Sequence, residues 1–183
     1  MKLFYILAYL SAIVFSNTLT ASLEPLHFGS LIIPFGTFLI AFSFVFRDAV
    51  QHHIGRRNTY LTILSAMVLS AVTSWILGDT LWIVFASAIT FLFSETADTE
   101  VYTRLKFPQS LRVLYSGTVG GILDSVIFVV IGLSPLGAGF IPWQFVITAI
   151  LGQIVVKISM QVISAIVVHL ATRGALSNEN PNT

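Results

Sequence analysis

The chain has 183 residues, of which 56% are hydrophobic and only 9% are Asp, Glu, Lys or Arg. A soluble domain carries about 25% charged residues, and one core this small cannot hide so much apolar surface. Composition therefore excludes a soluble single domain, a disordered chain and, with Cys at 0, a disulfide framework. The net charge of +1 also excludes nucleic-acid binding driven by phosphate neutralisation. What is left is an integral membrane protein.

A helix needs about 20 predominantly apolar residues to cross the hydrocarbon core. Charge-poor runs of that size are separated by Gly55, Gly78, Pro108, the stretch 132–142 and Gly174. They predict an all-α, polytopic fold with six transmembrane helices, over about 3–22, 31–54, 58–78, 80–104, 112–132 and 142–172. Residues 1–176 then form a single transmembrane domain, with 177–183 as a polar tail. Lys2 and an apolar run also suit a signal peptide, but the run is long and carries the polar step Ser16–Asn17–Thr18, so it is read as the first span. With six spans, Lys2, Arg56, Arg57, Arg104, Lys106, Arg112 and Arg173 fall on one side, and the opposite loops hold no Lys or Arg. That asymmetry places both termini in the cytoplasm of a bacterial-type inner membrane.

The remaining basic residues, Arg47 and Lys157, lie inside spans, together with Asp48, Glu95, Asp98 and Asp124. Each ionised group at the bilayer centre costs ~2.5 kcal/mol or more. Six of them in a chain this short demand a shared interior site. Helical spacing allows convergence: Phe91, Glu95, Asp98 and Tyr102 share one face, as do Gln153, Lys157 and Gln161. Arg47 and Gln51 share another, and Ser116, Gly120 and Asp124 form a stripe beside Gly117 and Gly121. Those glycines are most simply a helix-packing face. Arg47 could instead snorkel to the interface, and Asp124 with Lys157 could be a purely structural ion pair. His52 and His53 point ~100° apart on a helix and read as interfacial, so neither a metal nor a cofactor is expected. Asn17, Arg47, Asp48, Gln51, Glu95, Asp98, Asp124, Gln153 and Lys157 are the candidate substrate-binding residues. Phe44, Phe91 and Phe128 are the candidates to stack on a planar ligand. No phosphate-binding glycine loop and no nucleophile motif is present, so neither ATP hydrolysis nor another enzymatic activity is expected.

The run from Phe46 to Arg57, with Asp48 followed seven residues later by Gly55 and then by Arg56-Arg57, resembles helix 2 of the VUT family. The members of that family are queuosine-precursor transporters. The stretch Ser94-Glu95-Thr96-Ala97-Asp98-Thr99-Glu100-Val101-Tyr102 resembles the family's acidic helix 4. Ser116, Asp124-Ser125 and Phe128 resemble its helix 5, and Lys157 its single helix 6 lysine. The chain departs from the pattern at Arg47 and His52, where members carry a small hydroxyl residue and a Glu. The resemblance implies uptake of a 7-deazaguanine base. Its N–H edge suits a carboxylate such as Glu95 or Asp98, and its carbonyl or nitrile a donor such as Gln51, Gln153 or Lys157. The implied partners are a small-molecule substrate and the lipid bilayer, with a homo-oligomer or a separate energy-coupling module as further possibilities. The alternatives are a vitamin- or purine-binding subunit serving an ATP-driven module, and a non-transporting membrane enzyme.

Overall fold

A computed structural model describes residues 2–29, 31–79 and 81–179. Over the described residues the chain is all-α apart from one small hairpin. Helix α1 (Lys2–Ser22) leads into strands β1 (Leu26–Phe28) and β2 (Leu31–Ile33). Helix α2 (Gly36–Ile76), α3 (Leu81–Arg104), α4 (Gln109–Ile127) with a π-helical extension at Phe128–Leu133, and α5 (Trp143–Glu179) follow. Among the described residues, five helices are long and apolar enough to cross a membrane, α4 being counted with its extension.

Helix α2 is really two helices. A straight helix of 41 residues would be ~60 Å long, about twice the hydrocarbon thickness. Gly55 interrupts it with φ 78° and ψ 164°, backbone space that is essentially reserved for glycine. Neighbouring residues of α1 then grip both ends. Ser16 Oγ donates to Gly36 O at 2.8 Å, and Asn17 Nδ2 donates to Ser70 O and Oγ at 3.2 and 3.0 Å. Gly36 and Ser70 would be ~50 Å apart in a straight helix. The chain therefore doubles back at Gly55, and segments 36–54 and 56–76 run antiparallel beside α1. Tyr9 and Ile13 of α1 pack with Ile63, Ala66 and Phe91, flanked by Phe46 and Tyr60, so both segments share one core with α3.

Several boundaries differ from the sequence expectation. The second helix begins at Gly36, because Leu31–Ile33 pairs antiparallel with Leu26–Phe28. Ile33 precedes Pro34, whose ring biases its neighbour toward extended backbone. The helix after Pro108 starts at Gln109, since the proline cannot itself continue a helix upstream. The last helix runs through Glu179, so residues 177–179 are helical where a tail is expected; residues 180–183 lie outside the described residues.

Burial is inverted relative to a soluble protein. Leu3, Phe4, Ile76, Leu81, Ile147 and Leu170 are exposed, whereas Arg47, Asp48, Glu95, Asp98 and Lys157 are buried. An apolar exterior around a charged interior is what a lipid solvent selects. The glycines of α4 make that interior possible. A Cβ on Gly120 would meet Asp98 Cβ at 2.9 Å, one on Gly121 would meet Lys157 Cβ at 3.3 Å, and one on Gly117 would collide with the Gln161 amide. Two faces of one helix thus seat the polar residues of α3 and α5.

Two glycines test this architecture. Gly55→Ala should lower stability by about 1–3 kcal/mol through backbone strain alone, as nothing lies within 4 Å of its added methyl group. Gly36→Ala should be worse, because its methyl would collide with Ser16 and Thr20 where α1 grips α2. Thermal unfolding in detergent, with the two variants compared, reads both effects.

Candidate substrate site

The polar residues separate into two layers. Midway along the bundle, Arg47 from segment 36–54 is 0% exposed and meets carboxylates on two sides. Its guanidinium lies 3.0 Å from Asp48 Oδ1 and 3.6 Å from Glu95 Oε2, and is paired with Asp98 Oδ2. It also donates to Thr99 Oγ1 at 2.9 Å. Asp48, Glu95, Asp98 and Thr99 are all buried. Tyr9 of α1 stands beside Glu95, and Ser116 of α4 beside Asp98. Arg47 is therefore not snorkelling; it is the centre of an ionic layer.

The second layer joins α4 to α5. Lys157 Nζ is paired with Asp124 Oδ2 and donates to Ser125 Oγ at 3.0 Å and Gln153 Oε1 at 3.3 Å. Three acceptors occupy the three donors of the ammonium group. Asp124 is less committed: Oδ1 receives only a 3.5 Å contact from Ser94 Oγ. Its side chain is 16% exposed, against 2% for Lys157.

That residual exposure faces a cavity of about 500 Å³. Asn17, Phe91, Asp124, Phe128, Gln153 and Lys157 line it, and Ile40, Ile83, Leu133 and Phe140 supply apolar wall. It opens at the end of the bundle formed by the β-hairpin, Asp79 and the loop holding Phe140 and Ile141. A smaller pocket of about 250 Å³ lies at the opposite, basic end, lined by Gln51, His52, Arg56, Tyr102, Thr103 and Arg112. There Arg56 and Arg104 both pair with Glu100, and the Arg112 guanidinium lies 4.0 Å from the Tyr102 ring centroid.

The nine candidate polar residues are thus divided by depth. Asn17, Asp124, Gln153 and Lys157 reach the large cavity, Gln51 reaches the small one, and Arg47, Asp48, Glu95 and Asp98 lie in the closed layer between them. Glu95 and Asp98, expected to receive a ligand edge, sit beneath the cavity floor instead. Phe91 and Phe128 line the cavity, whereas Phe44 is 1% exposed and lines neither space. Tyr9, Thr37, Ser70, Ser87 and Thr90 are contributors that sequence reasoning overlooked. Ser87, Thr90 and Ser94, at steps of three and four, were the available signal, since they extend the Glu95 face. No group of three or more His, Asp or Glu among the described residues could hold a metal ion.

Residues 74–171 match a family model described as "Putative vitamin uptake transporter". The match spans α3, α4, most of α5 and the ionic residues they carry. No curated protein and no solved structure matches the chain.

Removing one member of a buried pair leaves the other uncompensated, at about 3–5 kcal/mol. Lys157→Met should therefore destabilise the protein strongly. Adding Asp124→Asn should restore part of that loss, because the orphaned charge is then gone. A double-mutant cycle on thermal unfolding measures the coupling.

Proposed function

The chain belongs to the family described as putative vitamin uptake transporters, and from that premise we propose that it imports a planar heterocycle, namely a 7-deazaguanine queuosine precursor. The cavity carries this reading. Its about 500 Å³ falls within the ~300–1,000 Å³ range of small-molecule sites, which are mostly apolar with a few placed polar groups. Phe91 and Phe128 offer aromatic surface to a flat ring. The floor is rich in acceptors, because Lys157 has spent its donors on Asp124, Ser125 and Gln153. Asp124 thus favours a ligand that brings N–H groups, as the ring N–H and exocyclic amine of a guanine-like edge do. Gln153, whose Oε1 accepts from Lys157, keeps its amide N–H groups for a carbonyl or nitrile. Asn17 donates to Ser70 and retains its own carbonyl as an acceptor.

In this reading the domain crosses an inner membrane six times, with both termini cytoplasmic. The reversal at Gly55 divides α2 into two antiparallel crossings of ~30 Å each. Arg56, Arg104 and Arg112 cluster at one end of the bundle and the large cavity opens at the other. The positive-inside rule then makes the cavity outward-facing.

Radiolabelled 7-deazaguanine bases should bind the purified protein and accumulate in cells expressing it. Asp124→Asn should weaken binding about 10- to 100-fold, the effect of losing a hydrogen bond to a charged group. Normal binding by that variant would remove Asp124 from the site. The absence of native cysteine makes the orientation testable as well. A cysteine at exposed Leu136 should react with impermeant maleimide in intact cells, and one at exposed Phe107 only after permeabilisation.

A further inference from the structure

Two cavities approach the Arg47 layer from opposite sides. Along segment 36–54, Thr37 and Ile40 line the large cavity, Arg47 and Asp48 form the layer, and Gln51 and His52 line the small pocket. Along α3 the same order recurs as Thr90 and Phe91, then Glu95 and Asp98, then Tyr102 and Thr103. The layer is therefore the septum between the two spaces, and residues lining them, such as Phe91 and Tyr102, stand about three helical turns apart.

Its charges do not balance. One guanidinium faces three carboxylates, all of them at most 1% exposed. Two uncompensated charges at such a depth are far costlier than two neutral acids. The surrounding groups offset the imbalance only in part: Arg112 attracts Asp48 from beyond the layer, without a salt bridge to it. From α1 the layer meets Tyr9, and from α4 Ser116, with Arg112 on the small-pocket side and Asp124 on the cavity side. Arg112 donates to the Tyr102 carbonyl and stacks on that ring. On α5, Lys157 is held by Asp124. Asp48 Oδ2 and Asp98 Oδ1 are buried with no hydrogen bond and no ion pair. Beside them the hydroxyls of Tyr9 and Ser116, both 0% exposed, stand against Glu95 and Asp98 respectively. A proton on a carboxylate removes one of the uncompensated charges and turns an acceptor-only oxygen into a donor within the layer.

We propose that the Asp48–Glu95–Asp98 layer around Arg47 is the binding site of a coupling proton, so that uptake is proton symport. The inference rests on the transporter reading above. A proton enters from the outward cavity, neutralises one carboxylate, and weakens the hold on Arg47 that keeps the septum shut. Release of the proton toward the small pocket restores the ion pairs. At fixed internal pH, uptake rises as external pH falls, because outside acid loads the carboxylates.

Purified full-length protein in liposomes containing a trapped pH dye tests this directly. Adding a neutral 7-deazaguanine base outside should acidify the lumen. A gradient of one pH unit, acid outside, should support about tenfold accumulation per proton carried, and a protonophore should abolish it. Asp98→Asn and Glu95→Gln, which imitate the protonated acids, should lose the dependence on external pH; Asp98→Glu should retain it. Accumulation that follows a sodium gradient and ignores the protonophore overturns the proposal but leaves the transporter reading standing. Neutral variants that keep the wild-type pH profile also overturn it. Wild-type liposomes that neither accumulate nor exchange labelled base overturn both.

Discussion

The fold depends on burying Arg47 among carboxylates inside an apolar bundle. A lone guanidinium at that depth would cost several kcal/mol. Its neighbour Asp48 offsets part of this, and pairing with Glu95 and Asp98 offsets more only if α2 and α3 keep a fixed register. Thr99, one residue beyond Asp98, accepts a further bond from Arg47, and Gln51, a turn below, reaches Thr99 O at 3.4 Å and Thr103 Oγ1 at 2.7 Å. Each contact presumes the others. Among apolar surfaces that resemble the lipid, such directional pairing supplies specificity that dispersion cannot.

Close approach of backbones is the second constraint. Gly117, Gly120 and Gly121 sit directly against Gln161, Asp98 and Lys157. Their absent side chains let α3 and α5 approach α4 on two faces, with a polar chain lying on bare backbone at each contact. A small-residue face in a membrane helix commonly brings two helices together. Here it also fixes the depth of the charges, and with it the boundary between cavity and septum.

Function follows from that boundary. Asp124 and Lys157 belong to the cavity floor, and the Arg47 layer to the wall beneath it. Ser94, the residue before Glu95 on the same helix, contacts Asp124 at 3.5 Å. In the proposed transport cycle, a ligand at Asp124 would lie within one helical residue of the Glu95 layer.

Composition and residue spacing were enough to establish the class of protein and the set of polar residues. Charge scarcity demanded a lipid solvent, and six buried charges demanded a shared interior, whatever the helix packing. The periodicity of Glu95 and Asp98, and of Gln153, Lys157 and Gln161, also identified the faces that turn inward. Other features were beyond its reach. A three-residue strand before Pro34 is too short to show periodicity. The fold-back at Gly55 was legible as a break, but its antiparallel consequence needed Ser16 and Asn17 gripping both ends of α2. Above all, periodicity assigns a residue to a face and leaves its depth open. Glu95 and Asp124 both point inward, yet one is sealed and the other meets a cavity. That difference arises from helix offsets along the bundle axis, set by glycine contacts and ion pairs between segments far apart in the chain. Only the tertiary structure could decide it.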